Sequence, residues 1–148
     1  MLKSVASAAG VSGVHAAKKF RIPQTTTDSN GIIANTDINT VVVTTRHNSH
    51  AKFVGQALDA GKHVFVEKPL ALTREELKQI EDTYGQQASQ SGAPLLMVGF
   101  NRRFAPHVKK IKNIIDGVRE PKSFVMTVNA GAIPADHWTQ DKTVGGGR

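Results

Sequence analysis

Short apolar stretches recur along this chain, and each ends abruptly in polar residues. Val41–Val43 runs into Thr44-Thr45-Arg46-His47-Asn48, and His63–Val66 into Glu67-Lys68-Pro69. Leu95–Val98 runs into Gly99-Phe100-Asn101-Arg102-Arg103-Phe104. The stretches are β-branched or aliphatic and do not alternate with polar residues, which is the pattern of strands buried on both faces. A further strand is expected over Leu2–Ala8. Helical periodicity fills the intervals. Ala16, Ala17 and Phe20 mark the apolar face of a helix from Ser12 to Phe20. Val54, Ala57 and Leu58 mark one running from Ser49 to a stop at Gly61. Thr73 and Glu76 have the spacing of a capping box, with Leu72 and Leu77 as its staple and Leu77, Ile80 and Tyr84 as the stripe that follows. Pro106 suits a first helical turn, Val108, Ile111, Ile114 and Ile115 form its buried face, and Gly117 ends it. Residues 22–31 read as loop, Ile32-Ile33 as a short helix, Phe124–Asn129 as a strand with mixed faces, and 130–148 as turns.

Strands alternating with helices predict βαβ units. Right-handed crossovers then give an α/β fold with a partial, doubly wound Rossmann-type parallel sheet over residues 1–120. The pattern changes after Pro121, so residues 121–148 are expected to begin an α+β substrate domain. In open α/β sheets ligands bind just beyond the carboxyl ends of the strands. Alone, Glu67-Lys68-Pro69 also reads as an ordinary solvated loop. Repetition of polar tips on three buried strands favours a site along one sheet edge, with Thr45, Lys68 and Arg103 in a common crevice.

Bulk properties narrow the function. The chain has 148 residues, 39% hydrophobic and 21% charged, as one ordinary globular domain would. It has no cysteine, which excludes disulfides and thiolate chemistry and accords with an expected cytoplasmic location. The net charge is +7, but with 5% aromatic residues and no basic–aromatic interleaving no nucleic-acid partner is expected. No apolar run approaches a membrane span and the histidines lack metal-ligand spacing, so neither a membrane nor a metal partner is expected.

TTRHNSH at 44–50, GKHVFVEKPLALT at 61–73 and VGFNRRFAP at 98–106 resemble the Gfo/Idh/MocA oxidoreductases, which include glucose–fructose oxidoreductase and inositol dehydrogenases. HWTQDKTVGGGR at 137–148 is similar to that family's lead-in to its catalytic helix. The resemblance implies a domain binding NAD or NADP, followed by a substrate domain whose sheet often forms subunit contacts, hence a possible homo-oligomer. It implies a hydride transfer at a secondary hydroxyl or carbonyl of a sugar, cyclitol or related polyol. Lys68 is the implied catalytic residue. Thr45, His50, Glu67, Lys68 and Pro69 are implied on the cofactor side, and Lys68, Asn101 and Arg103 on the substrate side. A cis bond before Pro69 is also implied. Arg103 has a second reading, as the partner of a carboxylate across the domain boundary. A non-catalytic nucleotide-binding regulator on the same fold is the alternative to an enzyme. The family's Thr-Pro-Asn turn reads Thr45-Arg46-His47 here.

A dinucleotide fold places a GxGxxG turn after its first strand, and this chain has none. Ala8-Ala9-Gly10-Val11-Ser12-Gly13 is either a degraded phosphate loop or the end of the second strand. The second reading fits better, because no apolar strand ending in an acid follows at the required distance. The acidic ribose position then falls near Ser7-Ala8, and neither residue is acidic, so NAD is not favoured over NADP. The chain is expected to be a fragment lacking the glycine-rich strand and the family's catalytic His segment, and to be inactive alone.

Overall fold

The computed structural model describes residues 1–89 and 91–147. Two parallel sheets carry the fold. In the larger, β3 (Thr40–Val43), β4 (His63–Val66) and β5 (Leu96–Val98) lie in that order, with Val43 level with Val66 and Val66 with Val98. In the smaller, β1 (Ser4–Ala6) pairs with β2 (Gln24–Thr26).

The core lies between the larger sheet and two helices, α3 (His50–Asp59) and α4 (Arg74–Ala88). Val54, Ala57, Leu58 and Val66 are wholly buried, and Val64 and Ile80 nearly so. These are the positions that the α3 periodicity and the continuous β4 run predict. α3 ends where Gly61 takes φ 68°, a backbone conformation that L side chains rarely adopt. α4 begins with a complete capping box: Glu76 N donates to Thr73 Oγ1, and Glu76 Oε2 accepts from Thr73 N and Leu72 N. Leu58→Ala is expected to lower the unfolding free energy by about 2–5 kcal/mol, because a closed core cannot refill the space. Denaturant titration of both proteins measures it.

Several expectations need correction. Residues 22–31 contain a strand, β2, and the start of a helix, α2 (Ser29–Ala34), which Asp28 caps by accepting from Gly31 N at 3.0 Å. Gln24-Thr25-Thr26 has no apolar signature, and its strand is made by pairing with β1. Helix α1 (Val11–Phe20) touches the smaller sheet through Gly13, where an added Cβ would stand 3.0 Å from Thr25 Oγ1, and not through Phe20, which is exposed. Helix α5 (Pro106–Ile115) forms as predicted, but Val108, Ile111 and Ile114 are exposed among the described residues. Phe124–Asn129, expected as a strand with mixed faces, is not one: a strand without a partner edge leaves its backbone groups unpaired.

β1 and β3 are not paired with each other. Between them lies a slot of about 630 Å³ lined by Leu2, Val5, Ile33, Val41, Val43 and Phe53, with Thr44 and Thr45 at the β3 tip. About five residues of strand, at a spacing of ~4.8 Å between strands and ~10 Å between layers, fill a volume of the same order.

Candidate active site

The ladder of the larger sheet continues to its tips. Glu67 N donates to Val43 O at 3.0 Å, and Gly99 N to Val66 O at 2.8 Å. Thr44, Glu67 and Gly99 are therefore level, and Thr45, Lys68 and Phe100 come next. Gly99 is needed at this level: a Cβ there would stand 3.2 Å from both the Glu67 carboxylate and the Phe65 ring. Glu67 is half-buried against it, and Lys68 is exposed and precedes a cis peptide bond to Pro69.

Beyond the tips opens a cavity of about 1050 Å³. Lys68 and Pro69 line it from β4, and Asn101, Arg102 and Arg103 from the 3₁₀ turn after β5. His47, Trp138 and Gly145–Gly147 form its other wall. Among the described residues no carboxylate lines it, and the one ion pair is Lys78–Asp82 on α4. An ammonium without a carboxylate partner, in a pocket with amide and guanidinium donors, is suited to holding oxygen that carries developing negative charge.

The candidate residues divide between chambers. Lys68, Pro69, Asn101 and Arg103 share the cavity, whereas Thr45 lines the slot. His50 is wholly buried and lines neither. His137, which precedes the glycine turn, also stays outside the cavity, and its Nδ1 lies 2.8 Å from Thr139 Oγ1.

His47 and Trp138 line the cavity, and neither was expected there from the sequence. The 137–147 segment docks on the β3 turn, where Asn48 N donates to Val144 O at 3.1 Å and His47 Nδ1 lies 2.8 Å from Gly145 O. The His47 ring meets Trp138 edge-on at 4.8 Å, and the Arg46 guanidinium lies 5.7 Å from the Trp138 ring centre. The replacement of Pro-Asn by Arg46-His47 was the available signal, because both residues make this contact.

Asp141 shapes the same segment. The hydroxyl and amide of Thr143 both donate to it at 2.7 Å, and they hold its carboxyl below the usual carboxylate range. A native value lower than the unfolded one means that ionised Asp141 favours the turn above the ordinary carboxylate range. That contribution is lost as pH falls through the depressed native value. Acidification through that window should loosen residues 141–145 and shift the emission of Trp138, the chain's single tryptophan. Asp141→Asn should remove this step from the pH titration.

Residues 3–93 match the model of an oxidoreductase family described by its NAD-binding Rossmann fold. The chain belongs to this family. Within this Gfo/Idh/MocA group it is 35% identical over 113 residues to an inositol 2-dehydrogenase of Rhizobium meliloti, covering 72% of this chain and 32% of that protein. It is 36% identical over 114 residues to levoglucosan dehydrogenase of Pseudarthrobacter phenanthrenivorans, covering 77% of this chain and 28% of that protein. A levoglucosan dehydrogenase solved with NADH and levoglucosan superposes with a TM-score of 0.73 at 29% identity, covering 97% of this chain and 39% of that one. The chain thus spans about a third of the length of these Gfo/Idh/MocA relatives. The Rossmann match takes in β1 to β4, strands of both sheets, within residues 3–93, and the structural likeness runs on past them. Among the described residues no helix is long and apolar enough to cross a membrane.

Proposed function

We propose that this chain forms the nicotinamide-facing part of an NAD(P)-dependent dehydrogenase acting on a secondary hydroxyl, or the matching carbonyl, of a sugar, cyclitol or related polyol. The observation that carries this reading is the single cavity lined by Lys68, Asn101 and Arg103 at the carboxyl ends of β4 and β5. The inositol and levoglucosan dehydrogenases among its relatives support the substrate class and favour an enzyme over a regulator.

The cofactor, when bound, supplies the hydride chemistry. The chain's own residues bind and orient. Lys68 Nζ donates to the reacting oxygen of the substrate and stabilises the negative charge that gathers there. Asn101 and Arg103 orient the remaining hydroxyls by hydrogen bonds. The resemblance puts Thr45, Glu67 and Pro69 toward the cofactor, with Thr45 on the slot and Pro69 beside Lys68 in the cavity.

These residues fit the nicotinamide end of a dinucleotide and not its pyrophosphate. Helix α1 opens at Gly10 after β1, outside the slot, and in the 3-2-1-4-5-6 order the phosphate-binding turn follows the strand between the positions of β1 and β3. We assign the pyrophosphate grip to an apolar strand with a glycine-rich turn seated in the slot. The test is cofactor reduction by the protein that carries this chain, over a panel of sugars, cyclitols and polyols. Turnover of at least one is expected. Nucleotide binding with no turnover of any would return the reading to a regulator.

A further inference from the structure

His50 opens α3 and is wholly buried, yet both of its ring nitrogens meet backbone oxygens. Nδ1 lies 2.7 Å from Pro69 O, and Nε2 lies 3.0 Å from Thr45 O. Those carbonyls belong to different strand tips. Thr45 follows β3 and lines the slot, while Pro69 follows Lys68 after β4 and lines the cavity. The last backbone bond between the two strands is Glu67 N to Val43 O. Past it no main-chain bond joins residues 44–46 to 68–70 among the described residues. The imidazole takes over there, one ring spanning the gap that the ladder leaves.

The span is stiff for two reasons. Val54, Ala57 and Leu58 fix α3 to the sheet, so the ring cannot drift with its helix. Water has no access to a wholly buried ring, so a carbonyl that leaves it loses its partner without replacement. A neutral imidazole donates to one carbonyl and a doubly protonated one to both. Only the ring protonated on both nitrogens bonds the two tips at once, and its width then sets the distance between them. The Thr45 turn is braced from its other side, with Thr45 Oγ1 2.6 Å from Ser49 Oγ, and Ser49 Oγ donating to Arg46 O at 2.8 Å.

We infer that His50 is a positioning residue that ties the slot side of the site to the cavity side, and so fixes Lys68 relative to the cofactor wall. The sequence resemblance places His50 among cofactor-binding residues; its burial means that it acts on ligands through the backbone. The functional part of this inference rests on the dehydrogenase reading, and the tie itself does not.

Two variants test it in the protein that carries this chain. His50→Leu fills space without a donor, and His50→Gln keeps one donor. kcat per folded molecule should fall about 10–100-fold in His50→Leu, because small misplacements of a reacting group are costly. The KM for the polyol should move only a few-fold, and His50→Gln should recover part of the loss. In a Lys68→Met background the His50→Leu loss should nearly vanish, since both changes act through one group. A loss of equal size in both backgrounds would overturn the inference, as would unchanged kcat in both variants. If the unaltered protein turns over no polyol, the dehydrogenase reading fails separately. The tie is then judged by amide resonances. His50→Gln should move Thr45, Arg46, Lys68 and Leu70 together while Val54–Leu58 stay in place, and unmoved tip resonances would refute it.

Discussion

Lys68→Met should lower kcat by about 10²–10³-fold, the usual cost of removing one donor aimed at developing negative charge. The methionine keeps most of the volume and removes the ammonium. The structure makes this loss selective. Lys68 is exposed at the β4 tip and has no ion-pair partner among the described residues, so little of the fold depends on its charge. Unfolding stability should therefore stay within about 0.5 kcal/mol of the parent protein. Lys68→Arg keeps the charge on a wider, planar group and should recover only part of the rate. Steady-state kinetics beside a thermal melt of each variant separates these effects. A Lys68→Met protein of full activity would remove this residue from the chemistry.

The slot between β1 and β3 carries the other large effect. A protein of these 148 residues should bind NADH weakly, because no residue in the slot offers a phosphate-binding turn. Seating an apolar strand there would bury several side chains on both faces, each contributing about 1.5–3 kcal/mol. Ordering its backbone costs about 1–2 kcal/mol per residue. The net gain is a few kcal/mol, which for a chain of this size means a melting temperature higher by on the order of 10 °C. Adding a strand, glycine-rich turn and helix ahead of Leu2 should produce that rise and tighten NADH binding by about 10²-fold or more. The binding gain reflects the turn's backbone N–H groups and the helix N-terminus facing the pyrophosphate. Tight NADH binding by the 148-residue protein itself would contradict the assignment.

The elements that sequence reasoning found are those whose signals are local. β3, β4 and β5 are apolar runs, α3 carries its Val54, Ala57 and Leu58 stripe, and α4 carries its capping box and Ile80, although Leu77 of its predicted stripe is exposed. β2 escaped because three polar residues become a strand only through β1. Phe124–Asn129 failed the other way, a strand-forming composition with no edge to join. The α5 stripe also predicted burial, yet periodicity says which residues share a face and nothing about whether that face is covered. At the site, polar residues on strand tips were readable, and Lys68, Asn101 and Arg103 do meet in one cavity. The placement of Thr45 on the slot was not readable, since neighbouring strand tips can face different chambers. The contact of His47 with Gly145 joins residues 98 apart, a distance at which no spacing rule operates. The His50 tie was hidden for a related reason: its partners are main-chain oxygens, which leave no trace in side-chain identity.

Trp138 lines the same cavity as Lys68 and offers a reporter there. NADH titrated into the protein that carries this chain should quench Trp138 emission and sensitise nicotinamide fluorescence, and Trp138→Phe should abolish that component while NADH still binds. If NADH binds and Trp138→Phe leaves the energy transfer undiminished, the nicotinamide does not occupy the cavity of Lys68, Asn101 and Arg103, and the site described here is not where the reaction takes place.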